Sequence, residues 1–242
     1  RQDGAALDAS SRAGYLFNTT IAGIDKADAC LLVGTNPRWE APLVNSRIRK
    51  AWLRHPVAVA RIGAPVDLTY PVMELGEDFG VLAALAAGEG GFVETLKTAK
   101  HPMVIVGQSA LARADGAAIL AAAAKLAAAT GMIGPEGAEG WCGFNVLHDA
   151  AGRVGALDAG FLPSEGGRDV AGILDGASNG EVEVVWLLGA DEIDTAKLGD
   201  AFVIYQGSHG DRGANRADII LPGPLHDFLR LMPAAIIQPI CQ

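Results

Sequence analysis

The chain has 242 residues, of which 50% are hydrophobic and 6% aromatic, and its net charge is −9 at pH 7. A chain of this length and composition buries a sizeable core of Ala, Val, Leu and Ile, as one large domain or two small ones, which excludes a disordered chain. The negative charge, with no basic cluster set against it, argues against a nucleic-acid partner.

The cysteines lie far apart and form no C-x-x-C pair; they are Cys30, Cys142 and Cys241. This spacing predicts no zinc site, no iron–sulfur site and no disulfide framework. The most apolar stretch, residues 116–132, is rich in Ala and carries Lys125 near its middle, which favours a buried helix over a membrane span.

Taken in chain order, apolar runs bounded by Gly and Pro predict alternating strands and helices. The predicted strands are 29–33, 57–62 and 201–205, with three more inside 103–109, 182–191 and 218–223. The predicted helices are 38–53, 78–87, 92–100, 115–130, 145–157 and 168–174. Strands that alternate with helices imply βαβ crossovers and parallel pairing. The sequence therefore predicts an α/β fold with a doubly wound, mostly parallel sheet of about six strands.

Three of these strands share one form, an apolar run followed by Gly and then polar residues: LLVGTNP, VIVGQSA and WLLGADE. In the first, Gly34 allows a tight turn at the carboxyl end of the strand, Asn36 is a candidate helix cap, and Pro37 suits the first helical turn. Ligands of open α/β sheets bind at this edge. The segment Gly34-Thr35-Asn36-Pro37 is thus either a phosphate or nucleotide cradle or a purely structural turn, because it matches neither G-x-G-x-x-G nor a Walker loop.

A weaker candidate is a serine nucleophile at Ser109. The segment around it partly matches a nucleophile elbow, but the position that requires Gly is Leu111. Asp191 and His209 follow in the order found in hydrolases, although such a trio arises easily by chance. We expect no serine hydrolase.

Two histidines lie next to aspartates or close to them. His209 and Asp211 are either a metal-binding or acid/base pair or, since glycines surround them, residues that shape a loop through local hydrogen bonds. His148 and Asp149 fall in a predicted helix, where adjacent side chains point apart, and are interpreted as surface residues. The sequence alone therefore predicts no catalytic residues and no metal ligands.

Several long stretches, in the same order, resemble the large iron–sulfur subunit of respiratory complex I, the proton-pumping NADH:quinone oxidoreductase. The stretches that carry the resemblance are 1–4, 15–23, 31–43, 47–50, 63–70, 115–120, 188–191, 205–211 and 217–223. The resemblance covers roughly residues 1–223. It implies a fragment that acts as a structural scaffold of the peripheral arm, without a redox centre of its own.

The C-terminal part of that subunit is similar to molybdopterin-dependent oxidoreductases of the formate dehydrogenase and DMSO reductase type. In those enzymes a Gly-x-Asn-Pro turn helps to frame a pterin dinucleotide, whereas the complex I subunit keeps the fold without molybdenum. The resemblance therefore implies that Gly34, Thr35, Asn36 and Pro37 form a vestigial pterin-dinucleotide turn, and that molybdopterin is absent. It places the 2Fe-2S and 4Fe-4S clusters in a domain upstream of Arg1, and we expect no cofactor in this chain.

The resemblance also divides the chain into an N-terminal arm, an α/β domain and a divergent or truncated tail, which are residues 1–23, 24–223 and 224–242. The implied partners are other subunits of the peripheral arm, including the NADH-binding flavoprotein module, without direct membrane insertion. The implied location is peripheral to the bacterial or mitochondrial inner membrane, on the cytoplasmic or matrix side. Two alternatives stay open, a fragment of a formate dehydrogenase-like molybdopterin-dinucleotide enzyme and a free-standing nucleotide-binding module.

Overall fold

The computed structural model describes residues 4–133, 140–150, 152–163, 165–189, 191–210 and 212–223. These residues belong to two compact units, one of residues 4–150 and one of the described residues from 152 onward. The α/β class and the parallel pairing are confirmed, but the strands are shared between two sheets, where we predicted one. The domain boundaries predicted at residues 23 and 223 stay a prediction, and the tail lies outside the described residues.

The first unit is a doubly wound, five-stranded parallel sheet in the order β3-β2-β1-β4-β5. Its strands are β1 Ala29–Val33, β2 Ala58–Ile62, β3 Met73–Glu74, β4 Pro102–Gly107 and β5 Phe144–Leu147. Its helices are α1 Pro37–Glu40, α2 Pro42–Arg54, α3 Gly80–Ala86, α4 Gly91–Thr98, α5 Gln108–Leu111 and α6 Gly116–Ala129. Short 3-10 turns at Arg12–Gly14 and Gly23–Lys26 precede the sheet.

Strand β1 lies at the centre of this sheet, and all five of its residues are buried. Its side chains alternate between two cores: Leu31 and Val33 pack with α3, α4 and α6, whereas Cys30 and Leu32 pack with α2. Each fully buried aliphatic side chain of this kind contributes roughly 1.5–3 kcal/mol. Burial on both faces explains why β1 is a continuous apolar run in the sequence.

Residues 145–157 do not form the predicted helix. They contain strand β5 and, further on, helix α7 at Arg153–Asp158. Long-range hydrogen bonds hold Asn145 in the strand. Its side-chain amide accepts from the N–H of Thr19 and donates to the carbonyl of Val104. Contacts between residues so far apart in sequence override the local pattern.

The predicted helix 38–53 is also interrupted, because Ala41 leaves the helical region with φ −148° and ψ 73°. Its neighbour Pro42 is the cause, since the residue before a proline is driven away from the α region. Two helices result, α1 and α2, each with a proline in its first turn.

The second unit is a three-stranded parallel sheet in the order β6-β7-β8. Its strands are β6 Val184–Leu188, β7 Phe202–Gly207 and β8 Ile219–Pro222. Besides α7, its helical segments are α8 Val170–Ser178, the 3-10 turn Thr195–Leu198 and α9 Arg212–Arg216. Buried residues of β6 and β7 form a core with these connecting segments.

Candidate functional site

Gly34, directly after β1, makes the tight turn that the sequence predicts. Its φ is +55°, and a Cβ atom at this position would lie 2.5 Å from the Cβ of Ala110 and 3.1 Å from the ring of Phe79. Glycine is therefore required twice, for the sign of φ and for the space.

The switch point of the sheet lies between β1 and β4, because the chain continues to β2 and β3 on one side of β1 and to β5 on the other. This is where doubly wound folds bind their ligands. Here the gap is closed by direct packing. A Cβ atom on Gly107 would lie 2.4 Å from the carbonyl oxygen of Gly34, and Ser109 donates its hydroxyl hydrogen to that same oxygen.

The cap of helix α1 is Glu40 and not, as we predicted, Asn36. Asn36 occupies the N-cap position, but its side chain makes no capping bond within the described part of the chain. Instead the Glu40 carboxylate accepts from the N–H of Asn36 at 3.0 Å and from the hydroxyl of Thr35. Pro37 opens the helix as predicted, and a carboxylate near a helix N-terminus is also electrostatically favourable.

The position of Glu40 decides how well the turn fits a pterin dinucleotide. A phosphate cradle offers free N–H groups and hydroxyls at a helix N-terminus. In this turn the N–H of Asn36 and the hydroxyl of Thr35 already bind a carboxylate, which would also repel a diphosphate. The residues present therefore do not fit the anionic part of that cofactor.

A cavity of about 360 Å³ lies beside the turn, at the carboxyl ends of β1 and β2. Among the residues that line it, Arg61 and Arg113 are opposed by Glu40 and Glu77. Ligand pockets are mostly apolar with a few polar groups, whereas this cavity has a balanced set of charges in its wall.

Arg61 is the residue of this cavity that the sequence reasoning missed. It belongs to β2, is only 1% exposed, and donates from Nε (at 3.1 Å) and Nη2 to one carboxylate oxygen of Glu74 on β3. Its Nη1 and the Oδ1 of Asn36 are buried and have no hydrogen-bond partner among the described residues. The available signal was a charged residue inside the apolar run 57–62, since buried arginines are rare unless paired.

Arg113 is the second arginine that lines the cavity. Its guanidinium lies over the ring of Phe79, 4.8 Å from the centroid, and makes two bonds with the carboxylate of Asp115 at 2.7 and 3.0 Å. These bonds hold the pKa of Asp115 below its ordinary value. Asp115 occupies the N-cap position of α6, but its side chain makes no capping bond within the described residues.

The members of the hydrolase-like trio have structural contacts. Ser109 donates to the carbonyl oxygen of Gly34, Asp191 accepts from the N–H of Gly213 at 2.9 Å, and the exposed His209 has its Nδ1 2.9 Å from the hydroxyl oxygen of Ser208. Asp211 lies outside the described residues.

The pair His148 and Asp149 follows strand β5 and does not lie in a helix. His148 is partly buried, with its Nε2 2.6 Å from the carbonyl oxygen of Tyr15, and only Asp149 is fully on the surface. Among the described residues, no group of three or more His, Cys, Asp or Glu side chains is arranged to hold a metal ion.

Cys30 and Cys142 are buried in the first unit, and burial raises the pKa of the Cys30 thiol far above its ordinary value. Cys241 lies outside the described residues. Within the ranges that the structure describes, no helix is both long enough and apolar enough to cross a membrane.

Comparison with known proteins gives consistent matches. Residues 1–224 match the family model described as molybdopterin oxidoreductase. The chain is 45% identical over 216 residues to the NADH-quinone oxidoreductase G subunit of Rickettsia bellii (strain RML369-C). It is 44% identical over 216 residues to the corresponding protein of Rickettsia conorii (strain ATCC VR-613 / Malish 7), and 42% over 219 residues to that of Rickettsia prowazekii (strain Madrid E). Each match covers 89% of this chain but only 30% of the relative.

Proposed function

Because the chain belongs to the molybdopterin oxidoreductase family, we propose that it is the part of an NADH-quinone oxidoreductase large subunit that keeps this fold as a scaffold. The observation that carries the proposal is the identity of 42–45% to three proteins named as one subunit of that oxidoreductase, across 89% of the chain. The use of Glu40 at the Gly34 turn supports a structural role, since the donors of the turn serve the fold.

In the parent protein the reaction would be electron transfer from NADH through 2Fe-2S and 4Fe-4S clusters to a quinone. The chain spans about 30% of the length of its relatives, so these clusters belong in our proposal to another part of the parent. The role of the described residues is then to hold the subunit together and to present surfaces to its neighbours. We also propose that no molybdopterin binds at the Gly34 turn.

The proposed partners are the other subunits of the peripheral arm, including the flavoprotein module that binds NADH. The proposed location is the surface of the bacterial or mitochondrial inner membrane, on the cytoplasmic or matrix side. What supports both is the name of the relatives, which describes one subunit of a larger oxidoreductase.

The test uses the full-length parent in its assembled complex. We expect Glu40→Gln, which keeps the size of the side chain, to leave NADH–quinone turnover per assembled complex unchanged. We expect Gly107→Val, which forces a side chain against the Gly34 turn, to reduce the amount of assembled complex on native gels. Turnover lost by Glu40→Gln at full assembly would show that the turn takes part in the reaction and would refute the scaffold role.

The cofactor proposal has its own measurement. Elemental analysis of the purified parent for molybdenum, with detection of oxidised pterin by fluorescence, is expected to find neither. Stoichiometric molybdenum and pterin would instead favour the formate dehydrogenase-like alternative.

A further inference from the structure

Helix α2 is basic on the side that faces away from the core. Its buried side chains Val44, Ile48 and Ala51 pack in one cluster with residues of β1. The rest of the helix has no acidic residue, and its basic residues are Arg47, Arg49, Lys50 and Arg54. A basic helix therefore lies on the surface of a chain whose net charge is −9.

One carboxylate serves three of these cations. The Oδ2 atom of Asp25 accepts from Arg47 at 3.0 Å and from Lys50 at 3.1 Å, and Nη1 of Arg54 lies 3.9 Å from the same atom. The remaining cation, Arg49, is exposed and forms no ion pair with another residue that the structure describes. The positive charge of α2 thus exceeds the negative charge that this part of the chain sets against it.

Large apolar side chains are exposed on and beside the same helix. Leu43 and Leu53 of α2 are 71% and 65% exposed, and Trp39, three residues before α2, is 81% exposed. Leu43, Lys50 and Leu53 share one side of the helix, because they follow the spacing i, i+7 and i+10. We call the cations Arg47, Arg49, Lys50 and Arg54, together with the apolar residues Trp39, Leu43 and Leu53, the α2 face.

The residue types of the α2 face favour a protein partner that is acidic. Most of the cations are arginines, whose planar guanidinium binds a carboxylate through two parallel hydrogen bonds. Arginine and tryptophan are also enriched at protein interfaces and among the residues that contribute most to binding.

Other partners fit this face less well. A helix that binds a lipid surface inserts its apolar side, whereas the continuous apolar side of α2 packs in the core. The net charge of −9 repels a nucleic acid, and it also repels a second copy of the same chain.

We propose that the α2 face is the docking surface for an acidic segment of another subunit. In the assembled protein the segment brings carboxylates to Arg49 and Arg54 and apolar side chains to Leu43 and Leu53. Charge complementarity carries the inference, since carboxylates of the partner balance the excess positive charge of α2. The inference rests on the proposed function, in which the chain is part of a larger oxidoreductase, and it names the chemistry of one contact.

Lysine acetylation of the full-length parent tests whether the face is covered. Lys50 is compared with Lys97 of α4, because the two side chains are 38% and 42% exposed and each binds one carboxylate, at 3.1 and 2.8 Å. Peptide mass spectrometry measures the acetylation rate of both lysines in the isolated subunit and in the assembled complex. We expect assembly to slow the reaction of Lys50 at least about tenfold relative to that of Lys97.

Four results would overturn the proposal. Equal slowing of the two lysines, or none, would mean that the α2 face stays in solvent. Slow acetylation of Lys50 already in the dilute isolated subunit would assign its cover to the same polypeptide, and slowing that grows with protein concentration would assign it to a second copy. Protection of the isolated subunit by phosphatidylglycerol vesicles, as strong as that by assembly, would assign the face to an anionic membrane.

A charge reversal tests the electrostatic part of the proposal. Arg49→Glu changes an exposed cation of the α2 face, and Lys125→Glu makes the same change on α6, where Lys125 is also exposed and also forms no ion pair within the described part of the chain. On native gels we expect the Arg49→Glu subunit to leave the complex at about half the NaCl concentration that releases wild type, and the Lys125→Glu subunit to behave as wild type. Release of both variants at the same NaCl concentration would contradict the docking role.

Urea denaturation of the isolated subunits separates docking from folding. Arg49→Glu relieves repulsion between the cations of α2, so we expect its urea midpoint to equal or exceed that of wild type. A lowered midpoint would mean that Arg49 serves the fold.

Failure of this inference differs from failure of the proposed function. If the parent did not purify together with other oxidoreductase subunits, the proposed function would be wrong. If it assembled with them while Lys50 kept the reactivity that it has in the isolated subunit, only the docking surface would be wrong.

Discussion

The carboxylate of Glu40 accepts a hydrogen bond from the backbone N–H of Asn36, four residues earlier, at 3.0 Å. The same carboxylate accepts from the hydroxyl of Thr35. One side chain therefore closes the first turn after the central strand and uses the donors that a phosphate ligand would need. The turn is stabilised from within the chain.

The first prediction concerns this cap. Glu40→Ala removes the acceptor for two donors, and loss of a helix cap costs about 0.5–2 kcal/mol in the free energy of unfolding. Urea denaturation of the chain measures the change. The matched control is Glu89→Ala, an exposed glutamate in the turn before α4, which we expect to stay within about 0.5 kcal/mol of wild type. Equal effects of the two substitutions would contradict the assigned role of Glu40.

The second prediction concerns the contact between the two glycine turns. Gly107→Ala places a methyl group 2.4 Å from the carbonyl oxygen of Gly34 and 2.6 Å from the Cβ of Thr35, so the β1 and β4 turns must separate. Overpacking of this kind typically costs about 1–3 kcal/mol.

Gly91→Ala is the control for that substitution. A Cβ atom there meets nothing within 4 Å, and the φ of Gly91 is not in the left-handed region. We expect a gain of about 0.4–1 kcal/mol, because alanine restricts the unfolded chain. Thermal unfolding of both variants checks the signs, and a neutral Gly107→Ala would show that the turns are not in tight contact.

The predictions that the structure confirms concern features whose cause lies in neighbouring residues of the sequence. Strand β1 is an uninterrupted apolar run because both of its faces are buried, and the prediction of 29–33 is confirmed. The positive φ of Gly34 and the position of Pro37 follow from properties of single residues. Such features are readable from the sequence.

Where the sequence reasoning failed, the cause was a distant partner. Strand β5 is held by bonds from Asn145 to Thr19, 126 residues earlier, and Arg61 is tolerated in β2 because Glu74 lies on the adjacent strand. The same strand pattern fits one sheet or two, so the division into two sheets was not readable either. The hydrogen bond from the N–H of Asn36 to Glu40 requires α1 to begin at Pro37, and the break at Ala41 before Pro42 makes Glu40 the last residue of that helix.

The third prediction is a pH dependence at Asp25. A hydrogen bond from Lys50, with the nearby charges of Arg47 and Arg54, lowers the pKa of Asp25 below 3.8. A carboxyl group with a lowered folded-state pKa stabilises the fold above its unfolded-state pKa, and the contribution is lost as the pH falls from about 3.8 through the folded-state value. We therefore expect the free energy difference between wild type and Asp25→Asn to shrink between about pH 5 and the acid limit.

Urea denaturation at a series of pH values measures that difference. Glu89→Gln is the control, because it removes an exposed carboxylate without these basic neighbours. If the free energy of unfolding of wild type exceeded that of Asp25→Asn by the same amount from about pH 5 to the acid limit, the ion pairs of Asp25 would contribute nothing to stability.

The fourth prediction concerns the buried guanidinium of Arg61. Glu74→Ala leaves this cation, 1% exposed, without its carboxylate, and breaking a buried pair in this way costs about 3–5 kcal/mol when both partners are buried. The Glu74 side chain is 47% exposed, so we expect a smaller loss of about 2–3 kcal/mol. Arg61→Met removes the charge together with the donor Nη1 that has no partner among the described residues. Replacement of a buried ion by an apolar side chain of similar length is often neutral, and we expect a change below about 1.5 kcal/mol.

The double variant Arg61→Met/Glu74→Ala completes the cycle. Once the arginine is gone, loss of Glu74 is expected to cost less than about 0.5 kcal/mol, so the two single effects will not add. Urea denaturation of the four proteins measures the coupling. If Arg61→Met were as destabilising as Glu74→Ala, or if the two effects were additive, the instability would not come from an uncompensated charge, and Arg61 would have another role in the cavity.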